Sequence, residues 1–268
     1  MIRNVLSIAG SDPSGGAGIQ ADLKAFSARG VFGMAALTAL TAQNTTGVTG
    51  VHAVPPEFVA EQIAAVFADI RVDAVKIGMI ANAEIASAVA DALRPHLGIA
   101  IVLDPVMVAK GGAPLLPGDA VAALRDHLLP IATHLTPNLP EAAVLLGATE
   151  ATDRDMMQVQ AAALTALGPP AVLLKGGHLS GDDSPDVLVI EDDAFWFTGP
   201  RHATANTHGT GCTLSAALAA ELAKGLSDTD AVAAAKTYVA GAVAAADELS
   251  VGHGHGPTHH FHALWRDA

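Results

Sequence analysis

Two apolar patterns alternate along this chain. Short, nearly continuous apolar runs at residues 4–9, 74–77, 99–103 and 171–175 read as strands. Between them, apolar residues recur every three or four positions, as Ile19, Leu23 and Phe26 do over residues 18–29, and read as helices. Gly30 suits the end of that first helix. Further helices are expected at 57–70 after Pro55-Pro56, at 82–93, 116–128, 138–146 and 155–167, and at 211–224 and 229–248. Residues 34–42 predict one strand, although their Ala and Leu content also suits a helix. Residues 134–136 predict a short strand, and 186–190 with 194–197 a hairpin around Asp192-Asp193. Strands alternating with helices mean βαβ units, a mostly parallel sheet and a three-layer α/β/α sandwich. Ligands of such sheets sit beyond the carboxyl ends of the strands, so the polar residues there are the candidates for chemistry. No linker, low-complexity block or repeat interrupts the pattern, and residues 1–268 read as one domain.

Composition narrows the picture. Hydrophobic residues make up 51% and aromatics only 4%, a mixture suited to helices laid on a parallel sheet. The formal net charge of -13 argues against nucleic acid or an anionic membrane as a partner, while leaving room for a locally positive pocket. The one cysteine, Cys212, allows no intrachain disulfide and fits a reducing compartment. No uncharged apolar run reaches the ~20 residues of a membrane span, and residues 1–5 run straight into a strand rather than a cleavable leader. A cytoplasmic protein is expected.

Two glycine-rich segments carry the candidate chemistry. The first, Gly10-Ser11-Asp12-Pro13-Ser14-Gly15-Gly16-Ala17-Gly18, joins a strand to a helix. Its glycines permit close backbone approach to a ligand, and the helix start favours anions. It is neither a P-loop nor a dinucleotide fingerprint, and an ordinary tight turn would use the same residues. The second, Thr207-His208-Gly209-Thr210-Gly211-Cys212-Thr213-Leu214-Ser215, is the stronger signal. Two glycines bracket a small residue immediately before a helix, so successive N–H groups converge with the helix dipole. Such a turn suits charge on a transferring phosphoryl group. A thiol at that position is expected to have its pKa lowered toward neutrality. A plain helix start with a small buried cysteine remains the alternative.

These two segments, with Thr38-Ala39-Leu40-Thr41-Ala42-Gln43-Asn44-Thr45, Lys76-Ile77-Gly78-Met79, Leu103-Asp104-Pro105-Val106-Met107, Leu135-Thr136-Pro137-Asn138-Leu139-Pro140-Glu141 and Leu174-Lys175-Gly176-Gly177-His178, resemble the ribokinase-like superfamily. More closely they resemble its hydroxymethylpyrimidine/phosphomethylpyrimidine kinases. The resemblance runs in order from end to end. It implies a ribokinase-like sandwich that uses ATP and Mg²⁺ to phosphorylate 4-amino-5-hydroxymethyl-2-methylpyrimidine and then its monophosphate, in thiamine biosynthesis.

The resemblance also implies roles. Glu141 and Asp104 would serve the metal, with Asp104, Asn138 and Thr207 near the nucleotide phosphates. Asn138 and Glu141, three apart at a helix start, would equally make a capping box. Lys175 would neutralise phosphate charge, and Gly209, Thr210 and Gly211 would cradle the phosphoryl group. Cys212 stands where the superfamily has an Asp base, and would take the proton of the hydroxymethyl group in the first reaction only, since a phosphomonoester with a second pKa of about 6 arrives ionised. Gly10, Asp22, Gln43, Met79 and Val106 would hold the pyrimidine: Gln43 pairs with a ring nitrogen and amino group, Asp22 accepts from the amino group, and Met79 and Val106 pack on the ring. Met79 and Val106 would also suit plain core. His253, His255, His259, His260 and His262 lack zinc spacing and are expected to hold no metal.

A pyridoxal/pyridoxine kinase is the nearest alternative, and a non-catalytic pyrimidine-binding protein a more distant one. The length leaves no room for a fused thiamine-phosphate synthase. A homodimer is the expected assembly.

Overall fold

The computed structural model describes residues 1–107 and 118–265. In chain order its elements are β1 (Asn4–Ala9), α1 (Gly18–Ala28), β2 (Phe32–Leu37), β3 (Ala39–Asn44), β4 (Gly47–Ala53), α2 (Pro56–Asp69), β5 (Ala74–Ile77), α3 (Ala83–Leu93), β6 (Ala100–Leu103), α4 (Gly118–Ala123), β7 (His134–Leu135), α5 (Leu139–Leu146), α6 (Arg154–Thr165), β8 (Ala171–Lys175), β9 (Asp186–Ile190), β10 (Asp193–Phe197), α7 (Thr210–Ala223) and α8 (Asp228–Ala244). The eight-stranded sheet has the order β10-β9-β8-β7-β6-β5-β1-β2. Every pairing from β8 to β2 is parallel, and β9 and β10 add antiparallel strands at one edge. The expected three-layer, mostly parallel sandwich is what forms.

The central strands β1, β5, β6 and β8 bury both faces, which is why they read as continuous apolar runs. Leu6, Ile8, Val75 and Ile77 face a core shared with α2, α3, α5 and α6. Val5, Ala74 and Val102 face the opposite core, filled by α1, α7 and α8. The register aligns Ile8, Ile77, Leu103, Leu135 and Val172 across the sheet. One step beyond that row, at the carboxyl ends of the strands, come Gly78, Asp104 and Thr136. The apolar register therefore sets a polar rim.

Residues 34–42, expected as one strand, are two. The chain breaks at buried Thr38, whose N–H donates to Ala9 O at 3.1 Å and whose Oγ1 donates to Met79 O at 2.6 Å. Past this point β3 leaves the main sheet and pairs antiparallel with β4, with a bulge between Ala42 and Gln43. β4, rich in glycine and almost wholly exposed, carries no apolar signal to predict it. The expected helix 116–128 starts outside the described residues; its described part is α4, a π-helical turn and a 3₁₀ turn. The last expected helix ends early, at Ala244, followed by a separate 3₁₀ turn.

The C-terminal histidine-rich segment is a strap. His255 N–H donates to Thr45 O at the hairpin tip, His208 N–H to Gly256 O, and His259 N–H to Ala242 O on α8. His260 is buried against Thr213 of α7, 3.1 Å from its hydroxyl. Burial, with the Lys24 charge, pushes His260 down to about 3, so its ring is neutral. Among the described residues no group of three His, Cys, Asp or Glu converges on a metal-sized site.

Candidate active site

The rim of the sheet, the N-terminus of α1 and the N-terminus of α7 meet at Cys212. Gly209 caps α7 in the left-handed region, at φ 75°, and no side chain caps that helix. A Cβ on Gly209 would fall 1.7 Å from Gly16 O, so the turn and the first glycine loop press together with no room for a side chain. The Gly18 N–H at the start of α1 lies near enough to Cys212 to favour its thiolate. Two helix N-termini thus open onto one point, where their dipoles favour anions.

Two lysine–aspartate pairs flank that point. Lys175 Nζ donates to Asp104 Oδ1 at 3.0 Å, and a Cβ on Gly211 would lie 3.3 Å from that ammonium and 3.8 Å from Asp104 Oδ2. Asp104 also accepts from Thr136 Oγ1 at 3.4 Å and Ser215 Oγ at 3.2 Å. Although burial works the other way, the Lys175 and Lys76 charges hold the Asp104 carboxyl below its ordinary value, and Asp104 and Glu141 hold Lys175 above its own. The second pair lies deeper. Lys76 Nζ donates to both oxygens of Asp22 at 2.9 Å, and Ser7 Oγ donates to Asp22 Oδ2 at 2.6 Å. All three side chains are sealed from solvent.

Asp22, expected as an acceptor for a substrate amino group, therefore sits beneath the site with both oxygens already engaged. Lys76, in the Lys76-Ile77-Gly78-Met79 segment, had no role assigned to it; a charge inside the apolar run 74–77 was the available signal.

Cys212 also departs from expectation. Burial, helped by the Asp104 and Asp22 carboxylates and opposed by Lys76 and the Gly18 N–H, pushes the thiol up to about 11. The helix N-terminus does not prevail over desolvation, and the group is an S–H at neutral pH.

Asn138 and Glu141 form the complete capping box of α5: Glu141 N–H donates to Asn138 Oδ1 and Asn138 N–H to Glu141 Oε2, each at 2.8 Å. Asn138 also bridges to Lys175 on the neighbouring strand. Burial and the Asp104 charge, opposed by Lys175 and two backbone N–H groups, push Glu141 up to about 7. The donor set suits Mg²⁺, a hard cation that keeps several waters and takes one or two carboxylates. Both Asp104 oxygens are engaged, so Glu141 and Asp104 fit a metal reached through its own waters. Thr207 stands at the start of the turn, its carbonyl accepting from Thr210 Oγ1 at 2.8 Å.

Of the expected ring-binding residues, Met79 lies against Gly10 and Gln43 is linked to the first glycine loop through Thr41. A Cβ on Gly10 would lie 2.3 Å from Met79 Cε. Thr41 donates to Ser11 O at 3.0 Å and lies 3.3 Å from Gln43 Oε1, so the hairpin carries Gln43 to the mouth of the loop. Val106 follows Asp104 beyond β6, half-buried. His208 and Asp12, 2.8 Å apart, were not expected; they bind the two glycine segments together.

A parallel sheet with an anion-receptive helix start and a lysine–carboxylate cluster at its carboxyl edge defines a kinase of the ribokinase-like class. The model of the phosphomethylpyrimidine kinase family matches residues 12–259, and the chain belongs to that family. A hydroxymethylpyrimidine/phosphomethylpyrimidine kinase of Escherichia coli is 54% identical over 262 residues, 98% of each chain. Among solved structures, phosphomethylpyrimidine kinase from Clostridium difficile is 42% identical with a TM-score of 0.79, covering 88% of this chain and 97% of its own. The ADP complex of Bacillus subtilis pyridoxal kinase is 36% identical with a TM-score of 0.89, covering 98% and 99%.

Proposed function

We propose that this chain is a single kinase domain over residues 1–268 that transfers phosphate from ATP to 4-amino-5-hydroxymethyl-2-methylpyrimidine and then to its monophosphate, for thiamine biosynthesis. The observation that carries the reading is the uncapped N-terminus of α7, with Cys212 in its first turn and Lys175 against Gly211. The names of the close relatives support it.

In the first reaction the hydroxymethyl oxygen forms a bond to the γ-phosphorus while the bond to the β–γ bridging oxygen breaks and ADP leaves. Gly209, Thr210 and Gly211 cradle the migrating group with backbone N–H donors, and Lys175 offsets its charge. Only the thiolate of Cys212 can accept the hydroxyl proton, and with the thiol at about 11 the first reaction draws on the small ionised fraction that has already given its proton to solvent. In a loose transition state that transfer comes late, after the hydroxyl has become acidic. The second reaction attacks through an ionised phosphate oxygen and releases no proton, and a neutral thiol repels that dianion less than a carboxylate would. Glu141 and Asp104 would hold Mg²⁺ through water, with Asn138 and Thr207 at the phosphates; when bound, the ion neutralises charge developing on the phosphoryl oxygens. Gly10, Gln43, Met79 and Val106 seat the pyrimidine, and Asp22 supports the floor by holding Lys76.

The test follows ADP release with each acceptor in turn. Cys212→Ala is expected to slow the first reaction by about a hundredfold and the second by far less. The wild-type first reaction should quicken as pH rises above 7 and the second should not. Equal losses in both reactions would remove Cys212 from the base role.

A pyridoxal kinase activity is the second reading, favoured by the ADP-bound neighbour of that name. Pyridoxal and pyridoxine as acceptors in the same assay separate the two. We place the enzyme in the cytoplasm as a homodimer: the lone cysteine fits a reducing compartment, no helix among the described residues is long and apolar enough to cross a membrane, and Leu40 and Val51 stand exposed on the β3–β4 hairpin.

A further inference from the structure

The Asp12 carboxylate organises the first glycine loop. Oδ1 accepts from Ser14 N–H at 2.9 Å and Ser14 Oγ at 2.6 Å; Oδ2 accepts from Gly16 N–H at 3.1 Å and Ala17 N–H at 2.8 Å. Oδ2 also lies 2.8 Å from His208 Nε2. Against its burial, His208 and these donors hold Asp12 at about 2, so it is an ionised, acceptor-only group. His208 Nε2 must therefore carry the proton that joins them.

That proton has a consequence for Gln43, whose amide end lies 3.4 Å from the same His208 nitrogen. An amide N–H aimed at a ring N–H makes no bond; an amide oxygen accepts a share of it. At the other end of the amide Thr41 Oγ1 stands 3.3 Å from Gln43 Oε1 and 3.0 Å from Ser11 O, and its single proton goes to the shorter contact. Thr41 can then only accept from Gln43. The nitrogen and oxygen of a side-chain amide are assigned by such partners, and both require the amide turned over from Nε2 facing His208 and Oε1 facing Thr41, so that its oxygen lies toward His208 and its nitrogen toward Thr41.

We propose that His208 and Thr41 lock the Gln43 amide in this single orientation, and that the lock makes the acceptor site select a 4-amino over a 4-oxo pyrimidine. The inference rests on the reading of Gln43 as the ring-binding residue. With those two bonds made, Gln43 keeps one N–H and one oxygen lone pair for a ligand, in fixed order. An amino group beside a ring nitrogen presents a donor and an acceptor that match. The 4-oxo edge presents acceptor and N–H in exchanged places and needs the amide turned over. A free amide turns and serves both edges; a locked one leaves the wrong edge unpaired. His208 and Thr41 are thus positioning residues that set specificity through Gln43.

The experiment compares kcat/KM for 4-amino-5-hydroxymethyl-2-methylpyrimidine and its 4-oxo analogue. Wild type is expected to prefer the amino compound by about a hundredfold or more. His208→Leu and Thr41→Val should each cut that preference about tenfold, chiefly by improving the relative use of the oxo compound. His208→Gln, which keeps an N–H donor, should retain more of it than His208→Leu. General damage to the fold lowers both rates and leaves the ratio alone, and if His208→Leu does not fold, Thr41→Val decides. An unchanged ratio in the folded variants, or a wild type without preference, overturns the lock while leaving the kinase reading intact. Failure of wild type to phosphorylate the amino compound overturns both.

Discussion

The pairs Asp22–Lys76 and Asp104–Lys175 have the same chemistry, nearly the same length and opposite fates. Both side chains of the first are fully buried, and every nearby partner belongs to the protein. In the second, Lys175 keeps 14% of its side chain exposed, beside Gly211 and across from Glu141. Each lysine is held charged by its aspartate, chiefly against the cost of burial. A sealed charge acts on the site only through its field, whereas one at an opening can meet an incoming phosphate directly. Position along the strand makes the difference: Lys76 lies within β5, and Lys175 is the last residue of β8.

Breaking each pair tests the contrast. The largest effect is expected from Lys76→Met, which leaves Asp22 buried and uncompensated at a cost of about 3–5 kcal/mol, read as a fall in denaturation midpoint. Adding Asp22→Leu should recover most of that loss, because an apolar pair of similar volume replaces the ions; a double variant as unstable as the single one would contradict the sealed-pair view. Lys175→Met should lower kcat about a hundredfold or more for both acceptors, with a smaller change in melting temperature. A Lys175 variant that melts like Lys76→Met yet keeps its kcat would reverse the contrast.

Smaller effects sharpen it. Gln43→Ala should raise acceptor KM about tenfold while leaving ATP KM within about twofold, the loss of a hydrogen-bonding contact and not of the phosphate cradle. Glu141 stands at about 7, above its ordinary 4.5. A raised carboxyl contributes stability below 4.5 that is lost as pH climbs through 7. A cation beside it favours the ionised form, so Mg²⁺·ADP binding should release a proton and tighten severalfold from pH 6 to pH 8. Calorimetry in buffers of different ionisation enthalpy measures that release, and proton uptake would contradict it.

What was legible in the sequence was local or repetitive. The strand–helix order showed because the central parallel strands are buried on both faces and helices such as α3 bury one stripe. The Asn138–Glu141 box showed because its residues are three apart and share a helix start. β4 did not show, since an exposed hairpin strand has no apolar face to announce it. Lys76 and Asp22 are separated by 54 positions, and His208 and Asp12 by 196, so no spacing betrays either pair. The expectation of a near-neutral thiol at Cys212 weighed the helix start and could not weigh burial.

By itself the sequence determined the strand–helix alternation of the main sheet, the sheet type and the two glycine segments, because hydrophobic period and backbone freedom are properties of neighbouring residues. Only the tertiary structure decided which charges are sealed and which open, that the thiol stays protonated, and that the histidine-rich tail is a strap. Those outcomes depend on desolvation and on partners brought together from distant parts of the chain.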